Sequence, residues 1–230
     1  MTDRLPEIPS LTTRLREGLD RVSTVLKMDQ WRASASSGLN PTQLLLLGLL
    51  ASRPSGLRLG ELADHLGVSQ PTATDTVSAL ERKSLVIRKT ESSDARARVV
   101  FITREGRNAT RKAASSPSSA ESALEALSPR VKADLLLALT HIIRQFQRAG
   151  TLPDQRICVT CKYFQPFKHG DVESPHHCLF VNAAFGTPDL RIDCGEHETA
   201  SLATQTAIWT AFETALAMSK SDPASVPASS

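Results

Sequence analysis

Apolar residues recur at intervals of three and four along much of this chain, the spacing that lines one face of an α-helix. Leu15, Leu19, Val22, Val25 and Leu26 predict a first helix over residues 11–32. Asn40-Pro41 opens a second, with Asn40 as its N-cap and Pro41 at the first helical position. Its run over residues 44–50 is too apolar for an exposed face and belongs in a core. Arg53-Pro54-Ser55-Gly56 ends it.

The pattern then shortens. Leu59, Leu62, Ala63 and Leu66 predict a short amphipathic helix, Gly67 can take the left-handed turn after it, and Ser69 caps another helix with Pro71 in its first turn. Two helices so joined are a helix-turn-helix. Val77 and Leu80 anchor the second from behind, which leaves Gln70, Thr72, Ala73, Thr74 and Ser78 near or on the face that could enter a DNA major groove. Residues 85–89 and 98–103, rich in Val, Ile and Phe and separated by TESSDARA, predict a hairpin. A hairpin in that place forms a wing. Asp94, Arg96 and Arg98 sit at or near its tip, where an Arg can reach a minor groove and Asp94 can hold a guanidinium in place.

Gly106 begins another helical stretch that Pro117 and four serines weaken, and Ser128-Pro129 starts a cleaner one. There Val131, Leu135, Leu136, Leu139, Ile142, Ile143 and Phe146 form an apolar stripe wider than a small domain needs. The excess predicts a subunit interface shared with the first helix. Residues 151–198 lose helical periodicity, and a metal is expected as their core, because so short a segment has little apolar area of its own. An Ala-rich amphipathic helix over residues 199–218 and a disordered tail over 219–230 complete the chain. The domain organisation read from the pattern is a winged-helix domain over 1–150, a cysteine-rich segment over 151–198, the last helix and the tail.

The stretch LGELADHLGVSQPTATDTVSALERKSLVIRKTESSDARARVVFITREG resembles the MarR family of winged-helix transcriptional regulators. LGVSQPT in the helix-turn-helix, the LER before the wing, and Asp94 and Arg96 followed by a strand and ITREG carry the resemblance, which extends over residues 10–148. It implies an obligate homodimer whose first and last helices interlock and which binds a pseudo-palindromic operator in double-stranded DNA. Three positions depart from the family pattern. Asp75 and Ala79 stand where basic residues are common, which weakens phosphate anchoring, and Ser84 stands where Gly is usual at the entry to the wing.

Composition supports the helical reading. Hydrophobic residues make up 40% of the 230 and aromatics 4%, so Leu and Ala, both strong helix formers, supply most of the apolar surface. The expected fold class is mainly α with a small β-wing, flanked by long dimerisation helices. A net charge of +3 is mild, so nucleic-acid binding would need a local basic patch. No secretory signal and no membrane span is visible, and a cytoplasmic protein is expected.

All four cysteines fall in one window, as CxxC at Cys158 and Cys161, then Cys178, then Cys194. In a reducing compartment such a cluster predicts metal ligands rather than disulfides. CxxC and the Cys194/His197 pair could form two knuckles around one zinc, with Cys178 or His177 completing the set. Four thiolates with Tyr163, Phe164, Phe167, Phe180 and Phe185 to exclude solvent could instead hold an iron-sulfur cluster, a 4Fe-4S form included. The second reading uses every cysteine without choosing among histidines and is preferred. The layout of CxxC, sixteen residues, Cys, fifteen residues, Cys, with Phe164 and Cys178-Leu179-Phe180, also faintly resembles the cluster-binding segment of high-potential iron-sulfur proteins. His65 and His141 are read as ordinary surface or interface residues, and His169, His176, His177 and His197 as ligands or as hydrogen-bond partners of thiolates.

No enzyme activity is expected, since ligation by four cysteines leaves no open metal position. The expected function is a homodimeric DNA-binding regulator modulated by the metal centre, by a redox signal or by a small molecule. The alternative is a winged-helix protein-interaction or electron-transfer module with a structural zinc.

Overall fold

Ser10 accepts a hydrogen bond from the Thr13 N–H and starts α1 (Leu11–Ser37), and Gly38, at φ 68°, ends it in the left-handed conformation. In this computed structural model residues 8–90 and 98–221 are described, and the chain divides into two units, Met1–Leu127 and Ser128–Ser230. Asn40 caps α2 (Pro41–Ala51) through a reciprocal capping box with Gln43. A two-residue strand β1 (Leu57–Arg58) leads into α3 (Leu59–Leu66), and Ser69 caps α4 (Gln70–Arg82).

The expected hairpin is β2 (Val86–Thr90) and β3 (Arg98–Ile102), antiparallel with Val86 opposite Ile102 and Thr90 opposite Arg98. The strand β1 joins β3 on its other edge, giving the order β1-β3-β2. Such a short strand has no alternation to read, and the sequence pattern did not show it. Two helices follow where one weakened stretch was expected: α5 (Arg104–Ala114), capped by Thr103, and α6 (Ser119–Glu125), capped by Ser118.

Leu46, Leu47, Leu50, Leu62, Val77, Leu80, Val86 and Val100 are fully buried and form the centre of the first unit's core. Gly106 lies against this core. A Cβ there would meet the Leu85 carbonyl oxygen at 2.2 Å and Ile102 Cγ1 at 2.7 Å, so only glycine lets α5 approach the strand.

The second unit opens with α7 (Pro129–Arg148), capped by Ser128. A small antiparallel sheet follows, β4 (Phe164–Gln165), β5 (His176–Cys178) and β6 (Ala183–Phe185) in sequence order, and α8 (Leu202–Ser221) closes the unit. The sequence pattern grouped residues 128–150 with the winged helix. In the structure Leu136, Leu137 and Ile143 of α7 pack against Ile157, Phe164, Leu190, Trp209 and Phe212 instead. The expectation that a metal alone would be the core of the cysteine segment is corrected by the same residues. The segment borrows apolar side chains from a helix on either side of it in sequence and so has a hydrophobic core of its own. Among the described residues no helix is long and apolar enough to cross a membrane.

Candidate nucleic-acid interface and thiol cavity

Gly67, at φ 62°, turns the chain between α3 and α4, and the Ser69 hydroxyl accepts from the Thr72 N–H. This fixes which side of α4 faces inward. Ala73, Val77 and Leu80 are fully buried, while Gln70, Thr72 and Asp75 are exposed and Thr74 and Ser78 are half-buried. Ala73, read from sequence as near the groove-facing side, is therefore corrected to the inward side, because it shares the three- and four-residue spacing of Val77 and Leu80.

Ser78 has a partner that sequence reasoning missed. Arg88 of β2 donates from Nη2 to the Ser78 hydroxyl at 2.8 Å and to the Thr74 carbonyl at 3.3 Å, and its Nη1 lies 3.2 Å from Glu81 Oε2. One guanidinium thus ties the exposed helix to the wing strand at three points. No local spacing signals such a contact, since Arg88 and Ser78 meet only once the hairpin folds back. Arg98 is exposed at the first position of β3. Asp94 and Arg96 lie outside the described residues. Ser84, at the wing entry, has φ 59°, which is the conformation that a glycine would adopt without strain.

In the second unit all four cysteines line one cavity of about 140 Å³, together with Tyr163, Phe164, Phe180, Phe185 and Arg191. Their convergence has a local cause for each. The chain turns through a 3₁₀ segment at Cys158–Thr160, where the Cys161 N–H donates to the Cys158 carbonyl. Cys178 sits opposite Phe164 and Ala183 in the sheet, and the Cys194 N–H donates to the Arg156 carbonyl at 2.9 Å. Burial, and after it the neighbouring thiols of Cys194, Cys161 and Cys178, push the Cys158 thiol up to about 11, while the Arg191 N–H works in the other direction.

The histidines are engaged elsewhere. His176 is fully buried, accepts at Nδ1 from the Phe167 N–H at 3.3 Å and meets the Thr187 hydroxyl at 3.1 Å through Nε2. Burial lowers it to about 4. His177 pairs with His169 at 3.1 Å and His197 with the Thr160 hydroxyl at 3.0 Å, and neither lines the cavity. Burial, then Arg156, lowers the pKa of His197. Among the described residues no three His, Cys, Asp or Glu side chains are drawn together as ligands of an ion. Four thiols match the donor set of a tetrahedral zinc, which holds sulfurs at about 2.3 Å. Four soft thiols around an apolar, aromatic-lined space also fit the donor set of an iron-sulfur cluster.

Residues 37–97 match a family model described as MarR family. Over 101 residues the chain is 34% identical to the transcriptional activatory protein BadR of Rhodopseudomonas palustris, a match that covers 43% of this chain and 57% of that protein. The chain therefore spans little more than half the length of this curated relative. Among solved structures it is similar to Sco3205 of Streptomyces coelicolor in complex with DNA, at 21% identity and a TM-score of 0.53, over 64% of this chain and 94% of that one. It is also similar to CouR of Rhodococcus jostii RHA1 bound to p-coumaroyl-CoA, at 21% identity and a TM-score of 0.50, over 64% of this chain and 98% of that one. Residues 37–97, from the end of α1 through β2, the first strand of the wing, match the MarR family model, and the wider likeness to Sco3205 is to a winged-helix fold of that type.

Proposed function

We propose that this protein is a homodimeric transcriptional regulator that binds a pseudo-palindromic DNA operator and is modulated by a metal centre in its second unit. The observation that carries the reading is the exposed Gln70, Thr72 and Asp75 face of α4, tied by Arg88 to the wing, within a stretch that matches the MarR family model. The solved relative Sco3205 has DNA bound, which supports DNA as the partner here. Leu11, Leu15, Leu19, Val22 and Leu26 leave an apolar stripe exposed along α1, the surface that a second copy would cover.

Cys158, Cys161, Cys178 and Cys194 hold the metal centre, an iron-sulfur cluster in preference to one zinc. Such a cluster supplies a one-electron reservoir. The residues around it do the rest: the aromatic side chains exclude water, and Ile157 and Phe164 connect the cavity wall to the core on which α7 packs. A change at the centre can shift α7, and with it the spacing of two recognition helices, and a tenfold change in operator affinity requires only ~1.4 kcal/mol of such coupling. An apolar cleft of about 450 Å³ in the first unit, lined by Gln30, Leu44, Leu45, Leu49 and Thr110, supports a small-molecule signal as well. The p-coumaroyl-CoA bound to CouR supports an effector of that kind.

Two measurements test this. Duplex DNA is titrated with the protein at rising salt, and affinity is expected to fall steeply, as it must when several phosphates are contacted. Arg96→Ala is expected to weaken binding while the dimer persists in sedimentation; a salt-independent or absent shift removes DNA from the reading. Protein purified without oxygen is assayed for iron, sulfide and zinc. Stoichiometric iron and sulfide support the cluster, and one zinc per chain in a colourless protein refutes it.

A further inference from the structure

One residue reaches two of the four thiols. The backbone N–H of Arg191 donates to Cys158 Sγ at 3.3 Å, and its guanidinium Nη1 lies 3.9 Å from Cys194 Sγ. The Cys158 N–H returns a bond to the Arg191 carbonyl at 3.1 Å, so the two residues are locked in register and the side chain starts from a fixed backbone. Among the described residues that line the cavity, Arg191 is the one cation, set against the carboxylates of Asp189 and Glu196. The Asp189 carboxylate is turned to the Gly186 N–H at 3.1 Å, whereas the Arg191 guanidinium is aimed at sulfur.

Hydrogen bonds to cluster sulfurs and nearby positive charge stabilise the more negative, reduced state and raise the potential at which it forms. We propose that Arg191 is the positioning residue that sets the reduction potential of the centre: its backbone bond to Cys158 fixes the side chain, and the guanidinium beside Cys194 holds the potential higher. The proposal rests on the iron-sulfur reading above. No bond of the protein forms or breaks in the couple: the centre takes one electron from an external one-electron donor and returns it to an acceptor.

The test uses full-length protein purified without oxygen, with redox dyes as donor and acceptor and the visible band of the centre as readout. Wild type, Arg191→Lys, Arg191→Gln and Arg191→Ala are first assayed for iron and sulfide, then titrated. With iron content equal, Arg191→Ala is expected to disfavour the reduced state about threefold, a fall of ~28 mV at ~59 mV per tenfold for one electron. Lys is expected to keep most of the effect through its charge, and Gln to fall between Lys and Ala. The Arg191 side chain is exposed, so the gap between wild type and Ala should narrow as ionic strength rises, which a purely structural role would not produce. Equal midpoints in all four proteins, with the centre intact, overturn the role of Arg191 and leave the iron-sulfur reading standing. If Ala does not retain the centre, Gln decides the matter, and a Gln midpoint equal to that of wild type overturns the proposal. A colourless wild type with one zinc per chain overturns both.

Discussion

In the first unit ten buried apolar side chains close on one another, whereas in the second the packed side chains stop short and leave a space edged by four thiols. The strands differ in the same way. Five-residue β2 and β3 pair along their whole length, while the second sheet is built from strands of two and three residues. A fold that completes its own core can expose a polar helix face for a partner. One that leaves a thiol-lined space inside offers that space for a ligand. The difference shows why the two units are read for function in opposite directions, the first from its surface and the second from its interior.

The severest test of this contrast is to make the second unit's core as incomplete as its cavity. Phe212 is fully buried and its ring contacts Phe164, Phe167, His176 and Trp209. Phe212→Ala is expected to cost about 3–5 kcal/mol, read as loss of the second unit's transition in denaturant. Gly106→Ala attacks the first unit from the other side by overfilling it, and about 3 kcal/mol of destabilisation is expected from the contact with the Leu85 carbonyl. A thermal scan of that variant that matches wild type would show that α5 can move off the strand freely.

Gentler changes separate surface from core within the first unit. Arg88→Ala removes the tie between α4 and the wing without touching either core, and about tenfold weaker DNA binding, or ~1.4 kcal/mol, is expected at nearly unchanged Tm. Ser84→Gly relieves a left-handed serine and is expected to add about 0.5–1 kcal/mol to the first unit in a denaturant titration. The smallest effect is at Asp29, which accepts from the Ala120 N–H and the Ser118 hydroxyl, both at 2.9 Å, and so fastens α6 to α1. The Ala120 N–H above all, then Ser118 and Arg32, hold its carboxyl below the usual value of 3.8. A depressed carboxylate contributes stability above its unfolded pKa and loses it as pH falls through the folded one. Amide exchange in α6 should therefore accelerate below about pH 4, and Asp29→Asn should flatten that dependence.

Local signals were legible and long-range ones were not. Asn40, Ser69 and Ser128 identify themselves as caps because a cap is a matter of a few adjacent residues, and all three cap in the structure. The spacing of the cysteines pointed to a shared site, and the four do line one cavity. Periodicity gave α7 its apolar stripe but did not separate Leu136 and Ile143, which pack into the second core, from Val131, Leu135, Ile142 and Phe146, which stay exposed, since a stripe does not name its partner. Arg88 and Arg191 escaped notice for a related reason: each reaches polar atoms that the fold alone brings near. His177 and His197 looked like ligands through proximity in sequence, yet their rings meet His169 and Thr160.

The position of α8 has a consequence for how the molecule is made. Cys194, the last of the four cysteines, precedes Phe212 by 18 residues, and Phe212 with Trp209 closes the core behind the cavity wall. During synthesis at roughly 5–20 residues per second, every thiol is present about one to four seconds before the residue that seals the unit. The four thiols are thus all synthesised before the residues that complete the core behind their cavity.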